Sequence, residues 1–359
     1  MEQRINYLDS VRGLAALSVV IFHVISSHWA WMRISLWANI FFNGSDAVAM
    51  FFVLSGLVLS YRYFKNDEII DEHKFKKYAI GRLFRLYPAF IVCIIFYYCQ
   101  AHYDELSFDF LWNTVTQNPF YFWEELLLLR DHHTLFLPDW TLGIEVALSL
   151  LVPFLILLIK YNEKLFLYFL LIILIVNKLY ISEFLLMFGY GVWISKHFSE
   201  IQTYNNTDKW WYRYRWVLLP FVFLLYGLRH LIQLYPINVS IKYFFESILY
   251  INEFHFTGFA AAILLLFVIN TKSVQEFLQN KVLLFLGKIA YGLYLSHWFF
   301  CGFFIKNIDY IKANFTKNNE INFFIIDILG TIFGSIIIGT LLYYFVELPF
   351  IKWGKKIVK

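Results

Sequence analysis

The sequence predicts an all-α fold: a polytopic integral membrane protein with about ten transmembrane helices. Of its 359 residues, 60% are hydrophobic and only 16% are charged, which is more apolar surface than a soluble protein of this size can bury. Apolar runs of about twenty residues, the length of a membrane-spanning helix, recur along the chain. Because no long polar segment separates these runs, we expect residues 1–359 to form one membrane domain without an additional soluble domain.

Ten apolar runs are candidate spans. The turn between the fifth and the sixth is short, since little more than residues 177–183 is available for it. The first run has charged flanks and lacks a small-residue cleavage pattern, which indicates a retained span and not a removed signal peptide. The ten segments lie near residues 13–32, 45–64, 84–101, 141–159, 165–181, 183–197, 216–233, 252–270, 285–305 and 322–346.

The basic residues indicate the orientation of the chain. An even number of spans places both termini on one side of the membrane, and that side carries most of the 30 Lys and Arg residues. Seven of them lie between Arg62 and Arg85. Because cytoplasmic loops carry the excess of Lys and Arg, we expect both termini to be cytoplasmic. The net charge of +4 fits loops that face anionic membrane lipid or an anionic substrate, and it indicates no nucleic-acid partner.

Two ionisable residues, Arg12 and His23, lie in the first apolar run. The eleven-residue step between them corresponds to about three helical turns, so both side chains project from one face, about 16 Å apart along the axis. Two ionisable groups on one face of a membrane helix indicate a polar path beside it. The alternative is an arginine that extends to the membrane surface and a histidine that hydrogen-bonds to a neighbouring helix.

Five segments of the chain contain distinctive motifs. The first two are YLDSVRGLAALSVVIFH and GSDAVAMFFVLSGLVLS, and the next two are RLFRLYP and WTLGIE. The last comprises LGKIAYGLYLSHW and VELPF, near the end of the chain. In residues and in order, these segments resemble the membrane-bound acyltransferase 3 family, which includes bacterial polysaccharide O-acetyltransferases. One departure is Ser45, since the family usually has valine before the acidic residue of the second segment.

The resemblance implies an integral-membrane O-acyltransferase of the bacterial inner membrane. Its acyl donor would be cytoplasmic acetyl-CoA, and its acceptor a hydroxyl of a surface glycan or glycolipid, such as lipopolysaccharide O-antigen or capsule. A thioester is already activated, so the reaction needs a general base, a polarising environment for the thioester oxygen and a site for the anionic donor. Histidine titrates near neutrality and suits the role of the base. The resemblance makes His23 that catalytic residue.

Three arginines are candidates for donor binding, namely Arg12, Arg82 and Arg85. The guanidinium group offers a planar fork of donors that matches phosphate, and coenzyme A carries several phosphate charges. Arg82 and Arg85 are three residues apart and share a helix face. The excess of basic residues in cytoplasmic loops would also account for arginines at these positions.

Two acidic residues, Glu145 and Asp46, are further catalytic candidates. Glu145 lies several residues inside the fourth predicted span, and Asp46 lies at the outer start of the second. An intramembrane carboxylate requires a partner. Glu145 would either orient His23, as a carboxylate supports a catalytic imidazole, or pair with Arg12 as part of the scaffold. The sequence leaves both pairings open.

Acceptor binding is assigned to three residues, Trp140, Tyr294 and His297. His297 lies in the outer half of its predicted span with Tyr294 one turn below it, and its alternative role is a structural hydrogen bond. The outer segment that precedes Trp140, residues 102–139, is rich in aromatic residues. It would lie on the membrane surface or fold over the helices, where its rings would stack on a sugar or anchor the chain.

A transporter is the alternative function for a polytopic chain with buried charges. It would move a solute or the acyl group across the membrane for a partner enzyme. Transporters often contain inverted repeats, and we find no repeat of fixed period, which argues against this class. The three cysteines, Cys93, Cys99 and Cys301, lie in apolar runs, so neither a disulfide framework nor a metal site is indicated. The acceptor and the oligomeric state, including a homo-oligomer, stay open.

Overall fold

A computed structural model describes most of the chain. The described residues are almost all helical, and none of them belongs to a strand. The aromatic outer segment predicted to lie on the membrane or fold over the helices falls largely outside the described residues. The structure describes residues 5–28, 44–101, 124, 126–128, 138–175, 180–203, 210–228 and 253–358.

Fifteen α-helices and one π-helical turn make up the described part of the chain. Helices α14 and α15 are joined by the π-helical turn, Tyr343–Glu347. The α-helices are α1 (Asn6–His28), α2 (Gly44–Lys65), α3 (Glu72–Ala101), α4 (Asp139–Tyr161), α5 (Glu163–Ile175), α6 (Tyr180–Lys196), α7 (Phe198–Thr203), α8 (Trp210–Arg213), α9 (Arg215–Tyr226), α10 (Glu253–Asn270), α11 (Lys272–Leu278), α12 (Lys281–Lys306), α13 (Ile308–Phe315), α14 (Glu320–Leu342) and α15 (Leu348–Ile357).

The helices confirm the predicted class of a helical membrane protein. Each of the ten predicted segments contains a helix, but within the described residues only six helices are long and apolar enough to cross a membrane. A seventh candidate is formed by α10 and α11, which are bent by 94° at their junction. Helices α5 and α9 have only 13 and 12 residues, shorter than the roughly twenty that a straight span requires. The predicted number of ten is therefore not confirmed.

The chain divides into two compact units. The first contains Met1–Phe75 and Leu148–Lys288, and the second contains Lys76–Ala147 and Ile289–Lys359. Each unit is built from segments that are distant in sequence. Long-range packing within each unit, and not one continuous stretch of chain, therefore determines which side chains meet.

In the first unit, α2 and α6 pack backbone against backbone. A Cβ atom added to Gly56 would lie 2.2 Å from the carbonyl oxygen of Phe188, and one added to Gly191 would lie 2.1 Å from that of Val53. Small residues of this kind allow membrane helices to approach closely. The ring of Phe52 packs edge-on against Phe184, with ring centroids 4.9 Å apart. Gly56, in the second of the five sequence segments, is thus a packing residue.

Replacing Gly56 with alanine is expected to destabilise the protein by about 1–3 kcal/mol, because the new methyl group forces α2 and α6 apart. The measurement is thermal or denaturant unfolding of the purified protein in detergent. Gly302→Ala is the matched control, since a Cβ at Gly302 would meet no atom within 4 Å. Equal unfolding midpoints for the two variants would contradict the assignment of Gly56 to a backbone contact.

An ionic cluster holds the start of α5 against the end of α6 in the same unit. Lys196 Nζ donates to Glu163 Oε2 at 2.7 Å, and His197 Nε2 lies 2.7 Å from Glu163 Oε1. These interactions, with the hydrogen bond from Lys196 as the largest, lower the pKa of Glu163 to about 2. The carboxylate is therefore ionised at neutral pH, and the cluster stabilises the turn between two apolar helices.

The start of α1 is anchored to the end of α11 and to the first turns of α12. Ser10 Oγ donates to the carbonyl oxygen of Leu278 at 2.5 Å. A Cβ at Gly13 would lie 2.6 Å from the backbone nitrogen of Gly287, and one at Gly287 would lie 2.4 Å from the carbonyl oxygen of Asp9. The helix that carries Arg12 and His23 is thus held at its first turns by backbone contact.

The second unit has an apolar core between α3, α4, α12 and α14. Helices α12 and α14 touch through a pair of glycines, since a Cβ at Gly292 would lie 2.7 Å from the carbonyl oxygen of Gly339. Pro349, which follows the π-helical turn, has no N–H to donate. In a regular α-helix its ring would also clash with the carbonyl group four residues earlier. Leu348 instead donates to the carbonyl of Tyr343, five residues back. The buried core residues are Leu86, Ala89, Phe90, Cys93, Ile94, Leu142, Leu295, Phe299 and Leu342.

Candidate active site

The amino-terminal pair lies on one continuous helix, as predicted. Helix α1 carries both Arg12 and His23. It begins at Asn6, seven residues before the predicted start of the span, so His23 lies nearer the end of the described helix than its middle. An early start is favoured by Asp9, because a carboxylate in the first turn is stabilised by the helix dipole.

Arg12 is held by an acidic residue of its own helix. Its Nη1 donates to Asp9 Oδ1 at 3.2 Å, and both side chains are largely buried, with 15% and 12% of their surfaces exposed. Because the partners are three residues apart, the pair fixes the direction in which the guanidinium group points.

His23 lies on a partly buried face of α1. Its ring packs edge-on against Phe22, with centroids 5.2 Å apart. The hydroxyl groups of Ser26 and Ser27 donate to the carbonyl oxygen of His23 at 3.2 and 2.7 Å. These bonds satisfy a carbonyl near the end of the helix and stabilise the backbone that carries the imidazole. An imidazole held in this way can exchange a proton with a substrate hydroxyl.

Asp46 lies at the start of α2, in the first unit, and is fully buried. Thr257 Oγ1 lies 3.4 Å from its carboxylate oxygen Oδ1, and Tyr226 Oη donates to its backbone carbonyl. The same Thr257 hydroxyl is 3.2 Å from the carbonyl oxygen of Tyr226. Asp46 thus joins α2 to α9 and α10. Sequence reasoning did not identify Thr257 or Tyr226, because neither belongs to a recognisable segment.

In the second unit, Glu145 forms a buried ion pair with Arg82. Arg82 Nη2 donates to Glu145 Oε1, and the side chains are 10% and 16% exposed. The sequence suggested His23 or Arg12 as the partner of Glu145, and Arg82 is a partner that it did not suggest. The physical requirement was the expected one, since a buried carboxylate is costly without a cation. Spacing along separate helices, however, does not reveal which cation meets it.

Glu347 is the acidic residue that sequence reasoning missed. It ends the π-helical turn and is only 4% exposed. Its carboxylate lies within electrostatic reach of Arg85 and close to the backbone N–H of Gly292. Within the described residues, its Oε1 accepts no hydrogen bond. An acidic residue inside the last apolar run, two positions before a proline, was the available signal.

Tyr291 connects α12 to α3 near these charged side chains. Its hydroxyl donates to the carbonyl oxygen of Leu86 at 2.7 Å. It lies within electrostatic reach of both carboxylates and of one guanidinium group. The residues that meet here, called the polar cluster below, are Arg82, Arg85, Glu145, Tyr291 and Glu347.

Two of the three predicted acceptor residues, Trp140 and Tyr294, lie close together at the start of α4. Tyr294 Oη and Thr141 Oγ1 are 2.6 Å apart, so Tyr294 reaches the residue that follows Trp140. His297 is 1% exposed, and its Nδ1 lies 2.5 Å from the carbonyl oxygen of Tyr294. A ring nitrogen in that position donates a hydrogen bond to the carbonyl oxygen. Of the two roles predicted for His297, the structure contains the structural hydrogen bond.

Metal-binding groups are absent from the part of the chain that the structure describes. No three His, Cys, Asp or Glu residues among the described residues are placed to hold a metal ion. The three cysteines are free, with Cys93 and Cys301 buried.

Comparison with known proteins identifies the family. A family profile described as an acyltransferase domain matches residues 5–342. The chain belongs to the acyltransferase 3 family. It is 25% identical over 393 residues to O-acetyltransferase OatA from Staphylococcus aureus strains NCTC 8325 and COL. These alignments cover 97% of this chain but only 57% of either relative. The chain thus spans little more than half the length of these curated relatives, and no solved structure matches it.

The family match confirms the resemblance found in the sequence. It includes Arg12, His23, Arg82 and Glu145, and it ends five residues before Glu347. Membership places the chain among acyltransferases. The roles of the individual side chains follow from their chemistry and contacts, which support the proposals below.

Proposed function

We propose that this protein is an O-acetyltransferase that moves an acetyl group from cytoplasmic acetyl-CoA to a hydroxyl of a cell-surface glycan. The observation that carries the proposal is the family match over residues 5–342, together with the OatA relatives. Lipopolysaccharide O-antigen or capsule is the proposed acceptor. The protein would lie in the bacterial inner membrane with both termini in the cytoplasm, in keeping with its distribution of basic residues.

In the proposed reaction, His23 is the general base. It accepts the proton of the acceptor hydroxyl as that oxygen attacks the thioester carbonyl of acetyl-CoA. The carbon–sulfur bond then breaks, the ester remains on the glycan, and the proton passes from His23 to the sulfur, so that CoA leaves as a thiol. Histidine suits both steps because its neutral ring accepts a proton at one nitrogen and the resulting cation can donate it again.

The other side chains bind and position the two substrates. Arg12 in the first unit, and Arg82 and Arg85 in the second, are the proposed donor-binding residues, and Glu145 holds Arg82 in place through the observed ion pair. Trp140, Tyr294 and His297 form the proposed acceptor region, where aromatic rings stack on sugars. Asp46 contributes by fixing the start of α2 through its contacts with α9 and α10.

Comparison of surface glycans tests this function. Cells that produce the protein are expected to carry glycans heavier by the mass of one acetyl group per modified sugar than cells without it, as measured by mass spectrometry. The control is the same cell producing the His23→Ala variant at an equal level. Identical glycan masses in all three strains, together with no acetyl transfer by the purified protein, would overturn the proposal.

A further inference from the structure

The polar cluster leaves two buried polar atoms without partners among the described residues. One is Oε1 of Glu347, an acceptor, and the other is Nε of Arg82, a donor. Both residues are at most 9% exposed. An unpaired buried polar group costs about 1–3 kcal/mol. Two such groups around one tyrosine indicate a site that a ligand completes.

The charges of the cluster limit the chemistry of that ligand. Its two arginines are matched by its two glutamates: Arg82 pairs with Glu145, and Arg85 lies within electrostatic reach of Glu347. A site for phosphate groups requires an excess of positive charge. A cluster with equal numbers of cations and anions instead suits a neutral group that both donates and accepts hydrogen bonds.

The backbone around Glu347 is built to present this carboxylate. The π-helical turn ends at Glu347, two residues before Pro349, and its widened backbone accommodates the missing N–H of the proline. Single π-turns inside long helices occur frequently at functional sites. The contact between Gly292 and Gly339 brings α12, which carries Tyr291, against α14. These features place the carboxylate beside the tyrosine without a bulky side chain between the two helices.

From these observations we propose that the polar cluster binds the amide-containing pantetheine arm of the acyl donor, with Glu347 accepting an amide N–H and Arg82 Nε donating to an amide oxygen. The inference rests on the proposed function and refines it. Arg82 and Arg85 were expected to bind the phosphate groups of coenzyme A. In this arrangement they serve the uncharged arm, and the nucleotide end of the donor binds elsewhere.

Direct binding of three ligands to the purified protein in detergent tests the assignment. The ligands are coenzyme A, pantetheine, and adenosine 3′,5′-bisphosphate, which has the phosphate groups but no amide. Glu347→Gln is expected to lower the affinity for coenzyme A and for pantetheine by the same factor, about tenfold. The reason is that a charge-assisted hydrogen bond becomes a neutral one. Binding of the bisphosphate is expected to be unchanged. Glu320→Gln is the matched control, since Glu320 begins α14 and pairs with Lys312 at the surface.

A second variant addresses Arg82 and protects the test against misfolding. Arg82→Lys keeps a cation for Glu145 but removes the Nε donor, and it is expected to weaken the two amide-containing ligands equally. If either variant lowers the affinity for coenzyme A but not the affinity for pantetheine, the cluster binds phosphate and the proposal is wrong. If neither variant weakens either ligand, the cluster is structural and the proposal is wrong. A wild-type protein that binds no coenzyme A would instead overturn the acetyl-CoA donor itself, and this inference with it.

Discussion

Replacement of His23 by alanine is expected to reduce acetyl transfer by about 10²- to 10⁴-fold, the usual contribution of a general base. The side chain lies on a partly buried face of α1, eleven residues after Arg12, and its backbone is held by the hydroxyls of two serines. Alanine preserves the helix but removes the group that takes the proton. The measurement is acetyl transfer by purified protein or by cells with equal amounts of the variant in their membranes.

His197→Gln is the control for this experiment, because it also removes a histidine from the first unit. His197 belongs to the ionic cluster at Glu163, outside the proposed site. We expect it to alter stability slightly and to leave the rate of transfer unchanged. Wild-type acetylation by His23→Ala would remove this residue from the mechanism and leave the alternative of a histidine with a structural hydrogen bond.

Removal of Arg82 is expected to have the largest effect on stability. In Arg82→Ala the carboxylate of Glu145 loses its buried partner, and loss of one member of a buried pair costs about 3–5 kcal/mol. The neutral double variant Arg82→Gln with Glu145→Gln is expected to recover much of this loss, because no uncompensated charge remains. Unfolding of each variant in detergent measures the coupling between the two residues.

The surface pair of Lys312 and Glu320 provides the control for the buried one. Its nitrogen and oxygen are 2.6 Å apart, but Glu320 is 61% exposed, so its loss is expected to cost at most about 1 kcal/mol. If Lys312→Ala and Arg82→Ala were equally destabilising, the ion pair of Arg82 would not be a buried structural element.

The same ion pair changes the expectation for the pH profile of Glu145→Gln. In the structure Glu145 pairs with an arginine, which is not a proton-transfer group. We expect Glu145→Gln to weaken stability or donor binding and to leave the pH dependence of turnover in place. A shifted profile would show that Glu145 acts on His23 instead, as one of the two predicted pairings required.

Local patterns in the sequence predict local features well. The apolar runs predict the helical membrane class, because hydrocarbon requires every backbone hydrogen bond to be satisfied within the segment. The spacing of Arg12 and His23 predicts their place on one helix, since three turns of an α-helix relate them. The ordered segments from Arg12 to Glu145 predict the family that the comparison then confirmed.

Local patterns do not predict the contacts between distant segments. Glu145 pairs with Arg82, on another helix 63 residues away, and neither spacing nor hydropathy predicts this contact. The short helices α5 and α9 have the composition of spans but not the length, so the number of crossings is not set by hydropathy. Glu347 was visible in the sequence only as part of a late segment, with no sign of its neighbours.

The sequence by itself therefore determines the helical membrane class, the family and the placement of Arg12 and His23 on one face, because each depends on residues within one helix or on motif order. Only the tertiary structure decides that Arg82 neutralises Glu145 and that Glu347 joins Tyr291 and Arg85 in a charge-balanced cluster. The physical reason is that a buried charge specifies only the need for a partner. Close helix packing, such as that of Gly292 on Gly339, selects which partner lies within reach.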